Sequence, residues 1–141
     1  MNNWKIYTDG AYSSSLDQGG IGIVFLKNDE LVYTHQKGFK HTTNNKMELI
    51  AVITALNAIS KPIDSVIIYT DSMYVCGCAN LNWQRKKNQK LWKLFDKVYS
   101  KASTFTNSIN IVHVKGHNGD KYNEICDKLA VEASKDYINE K

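Results

Sequence analysis

The sequence predicts an α/β domain built on a five-stranded mixed sheet, three antiparallel strands followed by parallel ones, with helices on both faces. Three observations lead there. Short, β-branched segments follow one another up to residue 39 with only turns between them. The apolar period then becomes helical from Asn44. Beyond that point strand-like and helix-like segments alternate, and such successions close as right-handed crossovers between parallel strands.

Residues 4–9 (WKIYTD) read as the first strand, with Gly10 ending it. Residues 20–28 and 31–39 are two more, separated by the turn at Asn28-Asp29-Glu30, so the three make an antiparallel meander. Leu49, Val52, Ile53, Leu56 and Ile59 then fall at helical spacing, Thr43 or Asn44 can cap the start, and Pro62 closes the segment. The run SVIIYTD (65–71) is nearly all apolar before its last residues, which suits a central strand covered on both faces. Ser72 can cap a short helix to about Asn80. A further helix carries Leu91, Leu94, Phe95, Val98 and Ala102 on one stripe. Residues 109–114 make the fifth strand, and a last helix from about Lys121 to Tyr137 faces Ile125, Leu129, Ala130 and Ala133 inward.

No linker or low-complexity tract divides the chain, so residues 1–141 are read as one domain. At this length roughly 68% of the unfolded surface can be buried, which makes a disulfide or structural metal unnecessary for stability. The 43% hydrophobic content is that of a globular chain, and no apolar run reaches the length of a membrane span. MNNWKIYTDG lacks the apolar stretch of a secretory signal. The three cysteines, with Cys76 and Cys78 too close together to suggest a disulfide framework, read as reduced and buried. The expectation is a cytoplasmic protein with no membrane partner. Net charge is +4 with a pI of about 8.9. That excess says little by itself, but Arg85, Lys86, Lys87, Lys90 and Lys93 gather around Trp83 and Trp92. A basic cluster interleaved with aromatics suits a phosphate backbone, while its bland alternative is a solvated helix start.

One echo carries chemistry. KIYTDG (5–10) and IIYTDS (67–72) are both apolar strands ending in Asp followed by a small residue. In open α/β sheets ligands sit at the carboxyl ends of parallel strands. If the two strands are neighbours, at ~4.8 Å spacing, Asp9 and Asp71 converge. Two carboxylates so placed repel unless a cation lies between them, and hard oxygen ligands suit Mg²⁺ or Mn²⁺ better than zinc. A single Asp there would be an ordinary turn residue; the matched pair points to a site. Glu48 and Asp127 are weaker signals: each could be an ordinary surface acid, yet Glu48 lies between Met47 and Leu49, and Asp127 follows Cys126 close to Leu129 and Ala130.

Together the motifs YTDG (7–10), TTNNKMEL (42–49), YTDSMYV (69–75), HVKGHNG (113–119) and NEICDKLA (123–130) resemble type 1 ribonuclease H, and the match covers nearly the whole chain. The resemblance implies the ribonuclease H-like fold and hydrolysis of the RNA strand of RNA–DNA hybrids to 5′-phosphate and 3′-hydroxyl ends. It implies two Mg²⁺ ions, with Mn²⁺ as a substitute, on Asp9, Glu48, Asp71 and Asp127. His117, between Gly116 and Gly119, matches a loop histidine to which the family assigns proton transfer or product release, a role its ordinary pKa near 6.5 suits. Asn44 and Asn45 match residues that meet the hybrid's minor groove, where the 2′-hydroxyls are displayed. Thr43 and Asn88 match a pocket for a phosphate of the DNA strand. Gly10, Met73, Trp83, Lys86 and Lys87 complete the expected substrate surface. A monomer with no obligate protein partner is expected.

The chain departs from the bacterial pattern in three places. The loop after Gly10 reads AYSSSLDQGG in place of a Gly/Pro-rich loop with an RNA-contacting Asn; Met73 stands where Gln is common; and only QRKKNQKL separates Trp83 from Trp92, a shortened version of the basic "handle". The alternatives are another ribonuclease H-like nuclease, which would not account for TTNNKME, and a non-catalytic nucleic-acid-binding module, which predicts loss of an acid. A zinc site on Cys76, Cys78, His113 and His117 is disfavoured, because one intervening residue is short for zinc cysteines and His113 points away from His117 along a strand.

Overall fold

The computed structural model describes residues 2–115 and 120–136. In chain order the elements are β1 (Asn3–Ser13), β2 (Gln18–Lys27), β3 (Glu30–Lys40), α1 (Asn44–Asn57), β4 (Ser65–Thr70), α2 (Met73–Asn80), α3 (Gln89–Ala102), β5 (Ile109–His113) and α4 (Lys121–Asp136). The sheet runs β3-β2-β1-β4-β5. β1, β2 and β3 pair antiparallel, while β1 with β4 and β4 with β5 pair parallel. This is the mixed sheet and the element order that the sequence predicts.

β2 shows why the sheet is covered on both faces. Every residue from Gln18 to Leu26 is buried. Because successive side chains of a strand point to opposite faces, Ile21, Ile23 and Phe25 join the larger core with α1 and α3, whereas Val24 and Leu26 join Tyr7 and Cys126 beside α4. Gly20 and Gly22 fall on the α4 face, and a Cβ on either would overlap the backbone of α4 at Ala130 and Cys126. Two hydrogen atoms in place of side chains let the helix lie directly on the strand.

α1 is buried nearly all round, at Met47, Glu48, Leu49, Ala51, Val52, Ile53, Ala55 and Leu56, since α3 and the sheet cover it from two sides. Thr43 caps it, its Oγ1 accepting from the Lys46 amide at 3.1 Å. α3 keeps a strongly amphipathic pattern and buries Trp92, Phe95, Val98 and Ala102. Leu94, expected on the same stripe, is exposed, because the buried arc is narrower where only one layer covers it. Ser72 caps α2 by accepting from the Val75 amide at 3.1 Å. Asp120 does so for α4, accepting from Tyr122 and Asn123. No described helix is long and apolar enough to cross a membrane.

One boundary differs from the sequence expectation in a way that matters. Gly10 does not end β1, which continues to Ser13 and stays paired with β2 as far as Ser13–Gln18. Gly10 is needed for approach: a Cβ there would lie 2.5 Å from the Glu48 nitrogen and 2.6 Å from the Met47 carbonyl carbon. What ends near this point is the pairing of β1 with β4, whose last partners are Tyr7 and Tyr69.

Candidate active site

The site lies where the β1–β4 ladder stops. The Thr8 hydroxyl donates to the Tyr69 carbonyl at 2.9 Å and closes the pairing. Beyond it β1 stays with β2, whereas β4 turns through Asp71 into α2. Asp9 and Asp71 are each two residues past the Tyr7–Tyr69 pair, so the parallel register sets them side by side. α1 brings the third acid, because Gly10 admits the first turn of that helix to backbone contact. Ligand oxygens of Asp9, Glu48 and Asp71 all lie within 4.8 Å of one another. Below them Tyr7 stacks on Tyr69 at 4.5 Å, and the Cys126 thiol donates to the Tyr7 carbonyl at 3.0 Å.

The electrostatics are self-opposed. Asp9 is 3% exposed and Glu48 7%. Burial is the largest influence on both, and each is raised well above the ordinary carboxylate range; neighbouring carboxylates add to it, Asp71 on Asp9 and Asp9 and Asp71 on Glu48. The backbone partly offsets this: the Gly10 amide donates to Glu48 Oε1 at 2.6 Å and to Asp9 Oδ1 at 2.9 Å. Asp71 Oδ1 is buried and has no hydrogen-bond partner. A buried carboxylate oxygen left unpaired is costly, and with the two further acids crowded against it the group offers what a hard divalent cation requires. The residues present fit such an ion.

Asp127, on α4, is half-buried. It is not one of the three converging acids, but its charge contributes to raising Asp9, which sets it beside the cluster. His117 lies outside the described residues. The cysteines of the zinc alternative are buried in α2 and free, while His113 is exposed on β5.

Five of the expected substrate residues come together. Thr43, Asn44, Asn45, Lys87 and Asn88 line one cavity of about 350 Å³, joining residues that the sequence separates by more than forty positions. Thr43 Oγ1 is committed to its cap only as an acceptor, so its proton remains for an oxygen such as that of a phosphate. Met73 and Trp83 are 46% and 47% exposed, and Lys86 and Lys87 are exposed. Arg85, read from sequence as part of the basic cluster, is engaged elsewhere: its Nη1 donates to both carboxylate oxygens of Asp96 at 2.9 Å. Sequence reasoning also missed Tyr74, whose hydroxyl accepts from Asn88 Nδ2 at 3.1 Å and from Trp92 Nε1 at 2.9 Å. Neither contact leaves a local signal, since both depend on how α3 folds back over α2.

Known proteins share this architecture. A ribonuclease H of Rhodopirellula baltica is 37% identical over an alignment that takes in 95% of this chain and 92% of its own. One from Clostridium botulinum is 36% identical, covering 97% and 99%. Among solved structures, ribonuclease H1 of the archaeon Halobacterium salinarum superposes with a TM-score of 0.76 at 25% identity, over 95% of this chain and 98% of that one. The N-terminal ribonuclease H domain of a Mycobacterium tuberculosis protein reaches 0.80 at 20% identity over 99% of both chains, a likeness of fold. The ribonuclease H family model matches residues 1–135, and with that extent of agreement the chain belongs to the ribonuclease H family.

Proposed function

We propose that this chain hydrolyses the RNA strand of RNA–DNA hybrids to 5′-phosphate and 3′-hydroxyl products, with Asp9, Glu48, Asp71 and Asp127 as the ligands of two Mg²⁺ ions. The observation that carries it is the convergence of two buried acids, Asp9 and Glu48, with the half-buried Asp71, one of whose oxygens is buried and unpaired. Bound ions would supply Lewis acidity, lowering the pKa of the attacking water and offsetting charge on the leaving 3′ oxygen; Mn²⁺ can substitute by its similar ligand preference.

The chain's own residues supply position. The Gly10 amide fixes the rotamers of Asp9 and Glu48. Asn44 and Asn45, exposed at the start of α1 within four residues of Glu48, are placed to meet 2′-hydroxyls across the minor groove. Thr43, Lys87 and Asn88 hold a phosphate of the opposite strand, which sets the register of the hybrid over the acids. His117 moves the proton or assists product departure. We read residues 1–141 as one catalytic domain that works as a monomer, because the acids come from a single chain. The free, buried cysteines fit a reducing compartment, the cytoplasm.

The test is cleavage of labelled RNA–DNA hybrid, duplex RNA and duplex DNA, each with Mg²⁺ and with chelator. Metal-dependent cutting of the hybrid's RNA strand alone is the expected result. Equal cutting of duplex DNA, or no cutting of the hybrid, would sink the proposal.

A further inference from the structure

Residues 81–88, between α2 and α3, contain no regular secondary structure, and yet the segment is tied down at three points. At its start the amides of Leu81 and Trp83 both donate to the Gly77 carbonyl, at 3.0 and 3.1 Å. The Trp83 indole lies so close on Gly77 that a methyl group there would overlap the ring. At its end Asn88, in the left-handed region with φ 59°, spends its side chain on Tyr74 instead of on capping α3.

The middle anchor is Arg85. Its Nε donates to the Cys78 carbonyl at 3.2 Å, and its Nη1 to Asp96. The guanidinium carbon sits 4.4 Å from the Trp92 ring centre and 5.6 Å from that of Phe95. One face of the group therefore lies on the α3 aromatics while its edge is shared between α2 and α3. An arginine engaged in this way is poorly placed to grip a phosphate. Its neighbours Lys86 and Lys87 are exposed, and Lys87 lines the cavity with Thr43, Asn44, Asn45 and Asn88.

From this we infer that Arg85 is a positioning residue for hybrid binding: it braces residues 81–88 into a rigid platform that presents Trp83, Lys86 and Lys87 to the nucleic acid, and makes no phosphate contact itself. The inference rests on the proposed hybrid substrate. Its physical basis is preorganisation, since ordering a loop at the moment of binding weakens affinity and a loop ordered beforehand avoids that loss. The chain thus replaces a longer basic insertion with a short segment stiffened by one stacked cation.

Asp96 gives the inference a test of sign. The side chain is 59% exposed. Removing its negative charge would, by electrostatics alone, strengthen binding of a polyanion. If Asp96 matters as Arg85's partner, Asp96→Asn weakens binding instead, by about two- to fivefold in KM, the range a partly exposed ion pair supports. Arg85→Lys keeps the charge but loses the planar stack and the Nε contact, and is expected to raise KM roughly tenfold. In both variants kcat stays near wild type, and amide exchange over residues 79–90 speeds up. The experiment is steady-state cleavage of a labelled hybrid with both variants, alongside hydrogen exchange. An unchanged KM in Arg85→Lys, a lowered KM in Asp96→Asn, or a fall in kcat at constant KM would each overturn the inference. Failure of the wild-type protein to cut the hybrid would instead overturn the functional proposal.

Discussion

The acid cluster and the 81–88 platform solve opposite problems of placing charge. In the cluster, like charges are forced together and out of water, and only the fold opposes their repulsion: the β1–β4 register sets Asp9 beside Asp71, and Gly10 admits α1. In the platform, cations that repel one another only weakly stay in solvent, and the difficulty is to stop an irregular segment from moving. The first is held by elements far apart in sequence, the second by local ties to the two flanking helices, with a stacked arginine in the middle. Changes to the cluster should therefore act on turnover and on the stability of the metal-free fold, and changes to the platform on substrate affinity.

The sharpest contrast comes from Asp71→Asn. Hydrolysis of the hybrid is expected to vanish, while thermal stability in chelator equals or exceeds that of the wild type, because one member of a repelling group has gone. Near-wild-type turnover in this variant would move the chemistry elsewhere. Replacing His117 is expected to do less. His117→Ala should slow turnover by roughly 10²-fold or less with little change in hybrid affinity, the low end of the roughly 10²–10⁴ that assistance with proton transfer commonly contributes, because bound metal ions can act without it. A complete loss would give that histidine a structural or ligand role.

The cluster also predicts a pH dependence whose sign is unusual for acids. Asp9 and Glu48 are raised in the folded state, so the folded protein holds protons that the unfolded chain releases above the ordinary carboxylate pKa near 4. Their contribution to stability is fully present below that pH and is lost as pH rises through the raised values. Without divalent ions, then, denaturant midpoints should drift downward from about pH 4 upward, and Asp9→Asn should flatten the drift. With ions present the trend reverses, since ligands must lose their protons to bind metal. A metal-free midpoint that climbs over the same range would contradict the raised values.

The smallest effect belongs to the platform's own charges. Lys86→Ala/Lys87→Ala should weaken hybrid binding and reduce the salt slope by about 0.9 for each phosphate no longer neutralised, with kcat unaffected. Binding measured across a salt series decides it; if affinity and slope both stay put, those lysines are a solvated face.

How much of this is legible in the sequence follows the same division. The pair Asp9 and Asp71 is legible because each stands at the same point of a repeated strand motif, and a parallel neighbour relation turns that identity into proximity. Glu48 is legible through its apolar flanks, which mark it as leaning inward. The role of Gly10 is not: a glycine after a strand reads as a stop, and only the approach of α1 shows that the strand continues past it. Arg85 reads as part of the basic surface because a sequence shows charges without their partners, and its partners Cys78, Trp92 and Asp96 lie on two different helices. Leu94 falls on the right helical period but outside an arc that only packing defines. The motif resemblance supplies what residue patterns alone do not, the pairing of Thr43 with Asn88 across more than forty positions; both line one cavity, together with Asn44, Asn45 and Lys87.

The early end of the β1–β4 ladder has a kinetic consequence. The meander of β1, β2 and β3 is local in sequence, whereas β4 reaches β1 only by closing a loop of about sixty residues, the separation seen in the Thr8–Tyr69 contact. Long-range pairings of this kind are intrinsically slow to form. Asp9 and Asp71 therefore meet late, and their repulsion belongs to the finished fold and not to the meander that precedes it. A divalent ion that needs both acids stabilises only that last stage. Its expected signature is a slower unfolding limb in a chevron plot, with the refolding limb unmoved. An ion that accelerated refolding would mean that the acids come together before β4 is docked.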